Sequence, residues 1–271
     1  NIVNCNFAFD CSGFKRLIIG NYYKSTWHTY AKSLPVNRAM PFFLDNDGVN
    51  LPEYTESIAM KYGWMWKIPV KGRYGCGYVF DSSFVTDEEI KQELEQYLGH
   101  EIVSPRMFSF SAGCYEKMWI NNCVAIGLSS GFTEPLEATS IWVQVKALKV
   151  LADKVNRYGI DGEIGREQFN TALRQMNEEI LNFLHFHYLT QRNDSEFWTT
   201  FRTKNESPYL VKNIFDICKT KMFDDKDLDY LINIMPTKGF DHIRTFNIKS
   251  WYRVGHGVKL FDKDYGITET V

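Results

Sequence analysis

Residues able to do chemistry concentrate between Leu128 and Ser140, where Leu128-Ser129-Ser130-Gly131-Phe132-Thr133-Glu134-Pro135 runs into Leu136-Glu137-Ala138-Thr139-Ser140. Ile141, Val145, Leu148, Ala152 and Val155 then recur at helical spacing as far as Tyr158-Gly159, so a long helix is expected to start near Glu137. The first turn of a helix presents unpaired backbone N–H groups and the positive end of the helix dipole, and small anions bind there. Ala138, Thr139 and Ser140 stand where such N–H groups would be offered, and Thr139 adds a hydroxyl. Glu137 in the same turn reads, from spacing, as an acidic side chain complementing the dipole, the commoner use of the position.

Other candidates are weaker. Trp64 and Trp66, one residue apart on an expected strand, face the same way and form either an aromatic wall or part of a core. His185 and His187 are two apart on an expected helix, so they do not share a face as the i, i+4 histidines of a zinc protease do, and no metal site is expected. Gly75-Cys76-Gly77 does not complete G-x-G-x-x-G, since Phe80 stands at the third position; no P-loop occurs and no serine elbow is expected. Asn193-Asp194-Ser195 and Asn205-Glu206-Ser207 fit the glycosylation sequon, a pattern short enough to arise by chance.

The elements that must position these residues can be read in part. Residues 1–20 suggest a strand, a Ser12-Gly13 turn and a short apolar continuation to Gly20. Residues 21–62 show mixed patterning. Two apolar runs, 64–70 and 75–80, flank Lys71-Gly72-Arg73-Tyr74 and suggest an antiparallel hairpin, with Pro69 at a strand end. Thr86-Asp87-Glu88-Glu89 is a capping box opening a helix that stops at Gly99. Strands are expected over 104–110 and 122–127. A second long helix is expected from Arg166 to Tyr188, with Phe169, Leu173, Met176, Ile180, Phe183, Leu184 and His187 on one stripe. The strand at 122–127, its glycine loop and the helix after it are arranged as α/β proteins arrange a ligand site. The expected fold class is therefore α/β over 1–159 followed by an α-rich region over 160–271.

Composition narrows the class. With 271 residues, 44% hydrophobic and 24% charged side chains and a net charge of -2, the chain is neither disordered nor a polybasic nucleic-acid binder. No apolar run approaches the ~20 residues that span a bilayer. The six cysteines are scattered without a C-x-x-C pair, which fits reduced thiols and a cytoplasmic setting. Aromatic residues, at 15%, exceed what core filling needs and suggest ring-lined cavities.

Taken together, these segments resemble the flavin-dependent tryptophan halogenase family. Trp64-Met65-Trp66-Lys67-Ile68-Pro69 matches its W-x-W-x-I-P signature at every fixed position. Asp10-Cys11-Ser12-Gly13-Phe14 resembles the family's strand-turn after its flavin-binding front half, Gly77-Tyr78-Val79-Phe80 follows the signature as in the family, and Asn122 to Thr139 resembles its flavin and halide loop. The resemblance covers roughly residues 5–200 and fades in the tail.

The resemblance implies a flavoprotein monooxygenase-like fold of which this chain holds part of the flavin-binding module, and a definite activity. Reduced FAD, delivered by a separate flavin reductase, would act with O2 and a chloride, bromide or iodide to make hypohalous acid. That oxidant would pass along a tunnel to halogenate an electron-rich indole or phenol. It implies that Glu137 polarises the oxidant or takes the ring proton, that Thr139 and Ser140 bind halide, and that Leu128, Gly131, Phe132, Pro135 and Ile141 contact flavin. Trp64, Trp66, Ile68 and Pro69 would shape the tunnel, and a homodimer through the Phe169–His187 helix follows by analogy. Ser140 stands where the family usually has glycine and Ala138 where serine is common, which leaves the halide preference open. The family's N-terminal G-x-G-x-x-G and essential lysine have no counterpart in these residues, so they are expected upstream of Asn1, and residues 1–271 alone are expected not to halogenate. Alternatives are a related hydroxylating monooxygenase and a non-catalytic remnant.

Overall fold

A computed structural model describes residues 4–103, 106–235 and 244–260. Among them the strands are β1 (Ala8–Asp10), β2 (Trp27–Thr29), β3 (Arg38–Asp45), β4 (Glu56–Met60), β5 (Gly63–Val70), β6 (Arg73–Phe80), β7 (Phe108–Ser109), β8 (Gly113–Tyr115), β9 (Trp119–Ile120), β10 (Cys123–Ala125) and β11 (Gly131–Phe132). The helices are α1 (Asp87–Leu98), α2 (Thr139–Tyr158), α3 (Glu163–His187), α4 (Glu196–Lys204), α5 (Tyr209–Cys218), α6 (Asp225–Asn233) and α7 (Ile248–Gly257). The organisation is mixed α/β with an α-rich C-terminal stretch, as expected. Residues 1–3 of the first expected strand and 104–105 of the strand expected over 104–110 lie outside the described residues; of the latter, only Phe108–Ser109 is a strand.

Two units interleave along the chain: Asn1–Leu34, Ala112–Leu189 and Glu206–Val271 form one, and Pro35–Ser111 with Thr190–Asn205 the other. The second is built on a five-stranded sheet of order β4-β5-β6-β3-β7, all of whose neighbours are antiparallel. The expected hairpin is present, its turn tighter than read: Val70 pairs with Arg73 and Gly72 takes a φ of 83° between them. Residues 21–62 hold three strands that patterning did not reveal. Pro41 breaks the apparent pattern of β3, yet it lies beyond the two residues, Arg38 and Ala39, at which β7 pairs with that strand. Pro69 likewise lies past Lys67, the last β5 residue paired with β4.

Alternation sends Met40 and Phe42, and Cys76, Tyr78 and Phe80, to one sheet face, where Ile90 and Leu94 of α1 meet them. Trp64 and Trp66 point to the opposite face, with ring centroids 6.0 Å apart. Trp66 stands opposite Gly77, and its indole fills the space above that glycine: a Cβ there would fall 2.0 Å from the ring. The α1 helix begins as its sequence requires, Thr86 accepting from the Glu89 amide and the Glu89 carboxylate from the Thr86 amide, and it ends on a left-handed Gly99.

The first unit centres on α3, whose expected stripe is buried. Phe169, Leu173, Met176, Ile180, Phe183 and Leu184 are each at most 2% exposed within the chain itself, so this stripe is not a surface for a second copy. Asn170 ties α3 to the small sheet by accepting the Met118 and Trp119 amides, both at 2.8 Å, and donating to the Trp119 carbonyl. That sheet pairs β1 with β10 in parallel and β10 with β9 antiparallel. Past β1 the apolar continuation forms one π-type turn, Leu17–Tyr22, capped by Asp10, whose carboxylate accepts the Ile18 and Ile19 amides at 2.9 Å. Burial opposes ionisation of Asp10, but these bonds and those from Ser12 outweigh it and hold the carboxyl below its ordinary range.

Candidate active site

The loop after β10, the start of α2 and one turn of α3 line an open cavity of about 220 Å³. Leu128, Gly131, Phe132, Thr139, Ser140 and Ile141 all line it, as do Gln144 and Asn177, which the sequence reading did not single out. Pro135 and Glu137 are not among the lining residues.

The loop is held from several sides. Gly127, in a left-handed conformation at φ 76°, donates its amide to Gln144 Oε1 of α2 at 2.6 Å. Ser130 Oγ donates to the Gly127 carbonyl at 2.7 Å. Ser129 Oγ is buried and donates to the carbonyls of Asp10 and Ile126. Gly127-Leu128-Ser129-Ser130-Gly131 does fit G-x-S-x-G letter by letter, contrary to expectation, but a serine buried against two carbonyls is a brace rather than a nucleophile.

The helix starts later than its spacing suggested. Residues Leu136–Ala138 form a separate 3₁₀ turn, closed by the Ala138 amide donating to the Pro135 carbonyl at 3.0 Å, and α2 proper begins at Thr139. Glu137 (φ 66°) and Ala138 (φ 48°) are both left-handed. Two corrections follow. Ala138 has spent its amide on Pro135, so the first-turn donors belong to Thr139, Ser140 and Ile141. Glu137 is not a dipole-complementing residue of the helix, because its backbone is not helical. No side chain caps α2. Its N-terminus opens on the cavity through Thr139, Ser140 and Ile141.

The turn is docked on the C-terminal end of α3. Glu137 Oε1 lies 2.8 Å from Nε2 of His187, whose Nδ1 lies 2.8 Å from the Phe183 carbonyl. Both ring nitrogens of His187 are thus engaged, one on the helix and one on the turn. The spacing of His187 from His185, two residues along one helix, points to no shared site, so no local pattern marks this role. The residue His187 meets is 50 positions away. His185 is a buried core histidine with Nδ1 on the Ser33 carbonyl, and burial pulls it down to about 4. One residue beyond His187, the Tyr188 hydroxyl donates to Glu134 Oε2 at 2.7 Å. Glu134 is fully buried, and burial pushes its carboxyl up to about 8 against the lowering effect of that bond, so it is neutral at pH 7. Among the described residues no group of three or more His, Cys, Asp or Glu could hold a metal ion.

Residues 1–268 match the family model described as tryptophan halogenase. The chain belongs to the tryptophan halogenase family. Among family members, tryptophan 7-halogenase KtzQ of Kutzneria sp. (strain 744) is 35% identical over 209 residues, 74% of this chain and 38% of that protein. The solved structure of tryptophan 6-halogenase SttH from Streptomyces toxytricini superposes with a TM-score of 0.82 at 28% identity, covering 93% of this chain and 48% of that one. BrvH, a flavin-dependent halogenase from Brevundimonas sp. BAL3, superposes with a TM-score of 0.76 at 27% identity over 96% of this chain and 50% of that one. This tryptophan halogenase family chain thus spans about half the length of the relatives it matches or less. Its W-x-W-x-I-P signature lies in the sheet unit, Trp64 buried and Trp66 half-buried, Ile68 and Pro69 on the outer part of β5. Glu137 and the cavity belong to the other unit.

Proposed function

We propose that the protein to which these residues belong halogenates an electron-rich aromatic substrate, of indole or phenol type, using reduced FAD, O2 and a halide. The observation that carries this reading is the uncapped N-terminus of α2 opening on the cavity, one residue from a carboxylate held in a docked left-handed turn. Backbone donors at a helix end suit a halide. Apolar side chains at the cavity, with Ile141 80% exposed, suit the edge of a flat ring system, while about 220 Å³ is too small for a whole dinucleotide. The residues present therefore fit the ring end of a flavin and a small anion. Leu128, Gly131, Phe132 and Ile141, which line the cavity, would hold the ring, and Thr139 and Ser140 the halide, while Pro135 stands behind the turn rather than against the ring. When bound, the reduced flavin supplies the electrons by which O2 and halide become an electrophilic halogen.

The chain's own residues then position and move protons. Glu137 accepts the proton lost from the substrate ring, and His187 keeps that carboxylate oriented. Trp64, Trp66, Ile68 and Pro69 shape the route to the substrate. The flavin- and halide-facing roles fall mainly within residues 1–159, which also carry Glu137 and the tryptophan pair on the substrate side, with a separate flavin reductase as partner. A homodimer, if formed, uses faces other than the buried α3 stripe. Among the described residues no helix is long and apolar enough to cross a membrane.

The test supplies the protein with FAD, a flavin reductase, NADH and bromide, and examines indoles and phenols by mass spectrometry. Bromide-dependent brominated products are expected. Hydroxylated products formed regardless of halide would replace this reading with a monooxygenase.

A further inference from the structure

The turn that carries Glu137 is backbone-strained. Two consecutive non-glycine residues lie in the left-handed region, where a Cβ crowds the following carbonyl, and nothing in the residue types Glu137-Ala138 favours it. Such a conformation persists only where its surroundings over-determine it. One determinant is local: Pro135, with φ -71°, fixes the entry and accepts the Ala138 amide. The others come from adjacent residues at the end of α3, where His187 takes Glu137 and Tyr188 takes Glu134. The two bonds bracket the turn.

They differ in kind. The Glu137–His187 pair is partly accessible, with side-chain exposures of 35% and 17%. Glu134 and Tyr188 are 0% and 2% exposed. A buried carboxyl is an unfavourable choice for simple packing, and Glu134 Oε1 has no hydrogen-bond partner among the described residues. What the pair achieves is directional: it sets the register between residues 134–138 and the end of α3.

We infer that Glu134 and Tyr188 are a positioning pair, their buried carboxyl–hydroxyl bond holding the 135–138 turn in its left-handed form and so delivering the Glu137 carboxylate to its working place. The catalytic part of this inference rests on the halogenase reading; the positioning part does not. Tyr188 touches neither halide nor substrate. It acts through the turn.

The experiment reads amide hydrogen exchange of Ala138, protected only while its N–H reaches Pro135, in the protein as it exists. The Leu210 amide, which donates to Asn182 Oδ1 elsewhere in the same unit, is the reference. Tyr188→Phe, which removes one oxygen and leaves the ring, is expected to speed Ala138 exchange about tenfold with Leu210 unchanged, as a local opening does. Glu134→Gln, which keeps an acceptor for the hydroxyl, is expected to stay within about twofold of the parent. Unchanged Ala138 exchange in Tyr188→Phe would overturn the inference, as would equal acceleration in both variants. In turnover of the same protein, Tyr188→Phe is expected to lower kcat with the KM for the aromatic substrate within about twofold. A rise in KM with kcat intact would overturn the link to Glu137. Loss of Ala138 protection in a protein that makes no halogenated product leaves the pair in place and counts only against the halogenase reading.

Discussion

The N-termini of α1 and α2 are built in opposite ways. At α1 the reciprocal bonds of Thr86 and Glu89 satisfy the helix end with its own side chains, and three acidic residues follow in the first turn. At α2 no side chain caps the end, no acidic residue follows in the first turn, and the entry runs through two left-handed residues. Both helices are amphipathic and packed, so stability alone does not ask for the difference. The end of α1 is closed by its own sequence; the end of α2, which faces the cavity, is left open and its entry turn is held from outside. The carboxylate that would have capped α2 is turned away to His187 instead.

The largest effect expected from disturbing the open end is chemical. Glu137→Gln should lower turnover by about a hundredfold or more, the range of a lost proton-transfer group, with flavin binding retained. Steady-state halogenation with a parallel flavin titration measures both, and undiminished turnover would remove Glu137 from the mechanism.

A second difference is one of pH. In the unfolded chain Glu134 ionises near 4.5, and in the folded protein at about 8. Between those values the native state holds a proton that the unfolded state has released, so its contribution is full below 4.5, declines as pH rises, and is lost above about 8. Urea titrations from pH 5 to 8.5 should show that slope in the parent and a flatter one in Glu134→Gln. Parallel slopes would mean that the carboxyl is not buried.

Smaller effects separate the two ends directly. Thr86→Ala removes the closed cap and should cost about 1 kcal/mol of stability without changing turnover. Ala138→Gly relieves a left-handed alanine and should raise stability by roughly 0.5–1 kcal/mol. If both substitutions were to destabilise alike, the contrast between the helix ends would fail.

Legibility followed the same divide. The α1 helix could be read whole because its capping box, its apolar period and Gly99 lie within a few residues of one another. The β5–β6 hairpin could be read because its two apolar runs flank a glycine turn. The cavity loop could be read as a strand, loop and helix, and half of the residues that line it stand among those the sequence points to. Its geometry could not, because the left-handed turn at Glu137 is imposed by His187 and Tyr188, some 50 positions away, and no local residue type announces it. Asn170, Gln144 and Asn177 escaped for a related reason. A helical amide looks like any surface amide until the strand or loop that Asn170 and Gln144 tie down, or the cavity that Asn177 lines, is known. Of the strands in residues 21–62, β3 is masked by Pro41, harmless only because one side of β3 is unpaired there.

The glycine opposite Trp66 extends the motif beyond its six letters. Because any Cβ at position 77 would meet the indole, the second tryptophan and this glycine are complementary volumes on neighbouring strands, one large because the other is nothing. Their sizes can be traded only together. A smaller ring at 66 leaves a slot that a methyl group at 77 would refill, so Trp66→Phe with Gly77→Ala is the exchange that reshapes this face of the sheet while conserving its packing.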